Sequence, residues 1–74
     1  MSEGPTALIR MANQIAANFR NLPDDEAAAQ VANHLAMFWA PPMRSDLIAY
    51  VDAGGPGLEP VVVSAVDRLR TAQP

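Results

Sequence analysis

The chain contains no cysteine, and this absence removes two common ways of stabilising a small protein. Without thiols it can form neither disulfide bonds nor thiolate metal sites. A single histidine, His34, and scattered carboxylates also argue against a dedicated zinc site. At 74 residues the chain has room for one domain with a modest core. We therefore expect either marginal stability in isolation or a gain of stability on docking onto a larger partner.

Lysine is absent too, so all five cationic side chains are arginines, set against eight acidic ones for a formal charge of −3. An acidic balance without a basic patch argues against nucleic acid and against a membrane surface as partners. No apolar run approaches the roughly 20 residues that span a bilayer. Residues 1–5 lack the basic start and apolar run of a signal peptide. We expect a cytoplasmic protein.

Recognisable catalytic motifs are missing as well. No serine lies in a Gly-x-Ser-x-Gly elbow, and the single His34 would have to serve any triad. The glycine-rich segment 54–57 is interrupted by Pro56 and follows no predicted strand, so it is not a phosphate loop. The acidic run 24–26 fits a hard-cation site less well than the acidic start of a helix. We expect no enzymatic activity from this chain by itself.

Helical periodicity dominates the first half of the chain. A first helix is predicted from Thr6 to about Asn21, with apolar positions at a three-to-four spacing: Leu8, Met11, Ala12, Ile15 and Phe19. A second helix is predicted from the acidic run 24–26 to the residue before Pro41. Its apolar stripe is Ala28, Val31, Ala32, Leu35, Phe38 and Trp39.

Prolines and glycines divide the second half. A third helix is predicted from Pro42 to the Gly54-Gly55 pair, and a fourth from Pro60. The valine run 61–63 has strand propensity, but the residues that follow continue a helical face formed by Val62, Ala65, Val66 and Leu69. We predict an all-α fold, a compact bundle of four short helices. Residues 1–5 are expected to be a disordered leader, 6–71 a single helical domain and 72–74 a frayed tail.

The unusual residues concentrate between His34 and Arg44, at the corner between the second and third helices. His34 fits either a boundary residue packed on aromatic rings or a pH-dependent polar contact to a partner. Trp39 fits either core packing or docking. Arg44 fits either a pair with an acid such as Asp46 or Asp24, or a salt bridge across an interface. Met37 and Met43 flank the turn, and Met37 lies off the apolar stripe of the second helix, where an exposed flexible thioether suits an adaptable surface. The predicted partner-binding residues are His34, Phe38, Trp39, Pro41, Met43 and Arg44.

Three segments and a short glycine–proline pattern carry a family resemblance. The segments are Leu8–Ala16 (LIRMANQIA), Val31–Leu35 (VANHL) and Phe38–Arg44 (FWAPPMR), followed by Gly54-Gly55, Leu58 and Pro60. Together they make the chain similar to the delta subunit of NAD-dependent, molybdenum- or tungsten-containing formate dehydrogenases. That family often has Asp where this chain has Ala40, and a basic residue where it has Pro42. The absence of both charges favours apolar contact at the corner.

The resemblance implies a cytoplasmic bacterial complex that oxidises formate to carbon dioxide and reduces NAD. It places bis-molybdopterin guanine dinucleotide and iron–sulfur clusters on the catalytic large (alpha) subunit, and FMN with further clusters on companion subunits. The delta subunit is implied to bind no cofactor and to support assembly or stability by binding the large subunit. A transient chaperone for molybdenum-cofactor insertion and an unrelated helical adaptor are the alternatives.

Overall fold

The computed structural model describes residues 6–72 and contains four helices with no strand in that range. The helices are α1 (Thr6–Ala17), α2 (Asp24–Phe38), α3 (Pro41–Asp52) and α4 (Pro60–Ala72). The Cα radius of gyration, 11.4 Å, agrees with about 11.3 Å expected for one compact domain of this length. The predicted all-α bundle of four short helices is confirmed. The predicted leader at 1–5 and residues 73–74 of the predicted tail lie outside the described residues, and residue 72 belongs to α4.

The first helix is shorter than its pattern predicted. It ends at Ala17 rather than near Asn21, because the next residues form tighter hydrogen bonds to the carbonyl three residues back. The N–H of Asn18 donates to Ile15 O at 3.1 Å, and that of Phe19 to Ala16 O at 3.0 Å. Phe19 still packs against the core from this turn. The apolar spacing therefore identified a partly buried position outside the helix.

Prolines set the corner between α2 and α3. Pro41 and Pro42 occupy the first two positions of α3, where a missing backbone N–H costs no helical hydrogen bond. Ala40 precedes a proline and is accordingly extended, with ψ 147°. Trp39 is extended as well, with ψ 137°. Only these two residues separate the helices, so α3 begins one residue earlier than predicted and the chain reverses sharply.

Glycines end α3 in the manner that the sequence predicted. The N–H of Gly55 donates to Tyr50 O at 2.9 Å, and that of Gly54 donates to Val51 O at 3.0 Å. This pair of bonds is the Schellman motif, which requires a left-handed residue after the cap. Gly54 (φ 120°) and Gly55 (φ 57°) supply that conformation. The glycine pair therefore fixes where the chain turns from α3 towards α4.

The core lies chiefly between α2 and α4, which share the most extensive contact. The four residues predicted to form the buried face of α4 are all buried, which confirms helix over strand for the valine run: Val62, Ala65, Val66 and Leu69. Leu47 of α3 is buried in the same core. Two predicted stripe positions are wrong, because Met11 is 41% and Phe38 69% exposed. Alanines fill much of the space instead, and they allow the helices to approach closely.

Asn13 joins α1 to the loop before α4, a role that the sequence did not reveal. Its Nδ2 donates to Gly57 O at 2.9 Å, and its Oδ1 accepts from the N–H of Glu59, also at 2.9 Å. The Glu59 carboxylate in turn pairs with Arg20 at 2.9 Å. Both polar ends of one half-buried amide therefore hold the 53–59 loop against the first helix.

Candidate partner-binding surface

The aromatic pair at the end of α2 is divided between core and solvent. Trp39 is only 7% exposed and belongs to the core, whereas Phe38 is 69% exposed. Phe38 is the last residue of α2, whereas Trp39 is the extended residue that follows it, so the two side chains leave the backbone in different directions. Of the two interpretations of Trp39, core packing is the one the structure shows. Phe38 is the side chain of the pair that a partner can reach.

His34 packs on Phe38 from one helical turn earlier. The ring centroids lie 4.8 Å apart and the planes are tilted by 43°, as expected for neighbours at i and i+4. His34 is half-buried. Its ring therefore supports the exposed Phe38 from the side, which agrees with the interpretation as a boundary residue packed on an aromatic ring.

Arg44 caps the C-terminal end of the preceding helix. Its Nη1 donates to Trp39 O at 2.6 Å and to Ala36 O at 3.3 Å. Of the two alternatives for Arg44, the pair with an acid such as Asp46 or Asp24 is not formed: among the described residues, Arg44 bonds backbone carbonyls. A cation is unfavourable in the first turn of α3 but favourable beside the carbonyl end of α2. The tight corner brings those two helix ends together.

The predicted partner-binding residues therefore differ in accessibility. Phe38 and Pro41 are exposed, and His34 and Arg44 are half-buried. Met43 is half-buried and packs against the core, and Trp39 is buried. Met37, which the sequence placed off the apolar stripe, is 66% exposed. The exposed large apolar side chains and prolines near the corner are Met37, Phe38, Pro41 and Pro42, here called the corner patch.

Two surface cavities are lined by residues of α2 and α4. One of about 300 Å³ lies beside the Arg20–Glu59 pair, between the turn after α1 and the first residues of α2 and α4. The other, of about 290 Å³, lies between α2 and α4. Within residues 6–72, no group of three or more histidine or acidic side chains is placed to hold a metal ion. None of the described helices is long and apolar enough to cross a membrane.

A comparison with protein families identifies the family to which this chain belongs. Residues 7–66 match the family described as NADH-dependent formate dehydrogenase delta subunit FdsD. The match covers most of the 74 residues. The chain belongs to this delta-subunit family. No curated protein and no solved structure gives a significant match.

Membership of the delta-subunit family confirms the resemblance noted from the sequence. The matched region contains all of α2 and α3 and ends within α4. It therefore includes the corner patch and the Asn13 clamp on the 53–59 loop. Because the family is named as a subunit of formate dehydrogenase, the chain is one component of a complex with other subunits.

Proposed function

We propose that this chain is a non-catalytic subunit that binds the catalytic large subunit of an NAD-dependent formate dehydrogenase and supports its assembly or stability. The observation that carries the proposal is the corner patch on a member of the delta-subunit family. Phe38 and Met37 are the two most exposed large apolar side chains among the described residues, and they are adjacent. Clustered exposed apolar side chains on a small domain are typical of an interaction site.

The corner patch also has the rigidity that favours binding. Prolines at positions 41 and 42 restrict the backbone, the buried Trp39 anchors the turn, and Arg44 holds the end of α2. His34 supports the ring of Phe38. A surface that is already ordered loses less conformational entropy on association. Ala40 and Pro42 lack the charges expected at these two positions from the family resemblance, and we accordingly propose apolar contact there.

The redox chemistry is proposed to lie on companion subunits. Iron–sulfur clusters are held mainly by cysteine thiolates, and this chain has no cysteine. We therefore assign bis-molybdopterin guanine dinucleotide and clusters to the large subunit, and FMN, further clusters and the NAD site to the other companions. The expected compartment is the cytoplasm. The delta subunit contributes contacts rather than electron transfer.

Co-purification of the complex tests the corner patch. A Met37→Ser, Phe38→Ser double variant should recover less large subunit, by tenfold or more, because the patch loses its apolar surface. Met11→Ser is the control, since Met11 is an exposed methionine on a different helix, α1. Recovery of the large subunit at the wild-type level by the double variant would exclude the corner as the docking site.

The stoichiometry of the active complex tests the role. A structural subunit should be present at one copy for each large subunit in the purified, active enzyme. Quantitative mass spectrometry of the subunits measures this ratio directly. A ratio far below one, rising only in enzyme that lacks molybdenum cofactor, would favour the transient chaperone instead.

A further inference from the structure

A shallow apolar groove of about 290 Å³ runs between α2 and α4. It is lined by Ala29, Ala32, Asn33, Ala36, Arg68 and Leu69. Leu69 and Ala32 are nearly buried and form its floor, whereas Ala36 and Asn33 are exposed at its rim. The groove is open because the α2 side chains along it are short. A longer side chain at position 36 would fill it.

The groove lies on a different side of α2 from the Phe38 ring of the corner patch. Ala36 and Phe38 are two residues apart on α2, so their side chains point about 200° apart around the helix. Met37, which also belongs to the corner patch, lies between them on the solvent side. A partner that covers only the Phe38 ring therefore does not by itself cover the groove. Substitutions at Phe38 and in the groove can be read independently.

Arg68, in the groove wall, lacks the carboxylate partner that Arg20 and Arg70 have. Arg20 and Arg70 are neutralised by carboxylates, Glu59 at 2.9 Å and Asp52 at 2.7 Å. Arg68 is exposed in the groove wall and makes one long bond, 3.5 Å, to a backbone carbonyl of α2. No carboxylate of the described residues lies within 4 Å of it.

Arg44 lies outside the groove lining, at the C-terminal end of α2. Its Nη1 donates to the backbone carbonyls of Trp39 and Ala36, so it caps that helix. The cation in the groove lining is therefore Arg68, which has no carboxylate partner among the described residues. An acidic side chain on the binding partner would complement it.

We propose that the groove binds an acidic amphipathic helix of a partner subunit. Small apolar side chains of that helix face the alanines, and a flanking carboxylate pairs with Arg68. The distance from Ala29 to Ala36 is about 10 Å, which accommodates two turns of a helix. This is the helix-in-groove mode of recognition. The inference rests on the proposed function, because the partner is another subunit of the dehydrogenase complex.

Affinity measurements with the remaining subunits of the complex test the groove. Ala36→Leu should weaken binding at least tenfold by filling the groove, whereas Ala49→Leu, at an exposed position of α3, should bind like wild type. Arg68→Glu should weaken binding to a similar extent. Arg70→Glu makes the same change of charge two residues along and should have less than a threefold effect. Circular dichroism first establishes that each variant is folded.

The outcomes separate this inference from the proposed function. If the wild-type chain binds and both Ala36→Leu and Arg68→Glu bind equally well, the groove is not an interface and the corner patch stands. If only Ala36→Leu binds weakly, with Arg68→Glu unaffected, the acidic partner helix is refuted. Failure of the wild-type chain to bind the other subunits would overturn both proposals. Binding that weakens for both variants and not for their controls supports the groove.

Discussion

Replacing Trp39 by alanine should mainly lower stability, whereas replacing Phe38 by alanine should mainly weaken association. Trp39→Ala removes a large side chain that is only 7% exposed, which costs about 3–5 kcal/mol in cores. A 74-residue domain has a total of about 4–11 kcal/mol at ordinary stability per residue. The variant therefore loses a large share of its stability. Phe38→Ala removes a ring that is 69% exposed and should cost about 1 kcal/mol.

Thermal unfolding of the isolated chain, followed by circular dichroism, measures both changes. Each kcal/mol corresponds to about 4–8 °C in a domain of this size. Trp39→Ala should lower the Tm by more than about 12 °C, or leave the chain unfolded, and Phe38→Ala by about 4–8 °C. Binding of the large subunit should be weakened by Phe38→Ala although the variant is folded. Equal destabilisation by the two substitutions would refute the assignment of one aromatic ring to the core and the other to solvent.

Two further predictions concern polar side chains that hold the fold together. Asn13→Ala leaves two loop groups without their partners and should lower the free energy of unfolding in urea by about 1–3 kcal/mol. The control is Asn18→Ala, at an exposed position, which should change the free energy of unfolding by less than about 0.5 kcal/mol. Equal effects of the two substitutions would contradict the clamp. Arg44→Met keeps the apolar stem and removes the cap, so it should cost about 1–2 kcal/mol. Arg44→Lys should recover part of that loss, and no recovery would argue against a charge at the carbonyl end of α2 as the cause.

The sequence predicted the ends of the helices correctly where local chemistry determines them. Pro60 starts α4, the Gly54-Gly55 pair ends α3, and the acidic run starts α2, each through backbone geometry or a helix dipole that acts within one turn. Helical spacing also outweighed the strand propensity of the valine run. The end of α1 was predicted less well, since the chain between Ala17 and Pro23 winds into tighter turns.

The candidate surface could be predicted only in part. The family segments located the corner, and the off-stripe position of Met37 indicated its exposure. The apolar stripe could not rank Phe38 against Trp39, because both are large and adjacent. Position 39 lies at the extended cap of α2, where the direction of the side chain depends on the turn before Pro41. The hydrogen-bond partners of Arg44 were not predicted, because every residue has a backbone carbonyl and the sequence does not show which of them the guanidinium reaches.

By itself, the sequence determined the class of fold and the number of helices, because hydrophobic periodicity, prolines and glycines act on the local backbone. It also determined the family, because the family motifs occur in the sequence in the expected order. Only the tertiary structure decided which aromatic ring is buried, how Asn13 clamps a distant loop and where the groove between α2 and α4 lies. Those features depend on how helices far apart in the chain pack together. The close approach of the helices, which alanines in the core permit, fixes which side chains are left for a partner.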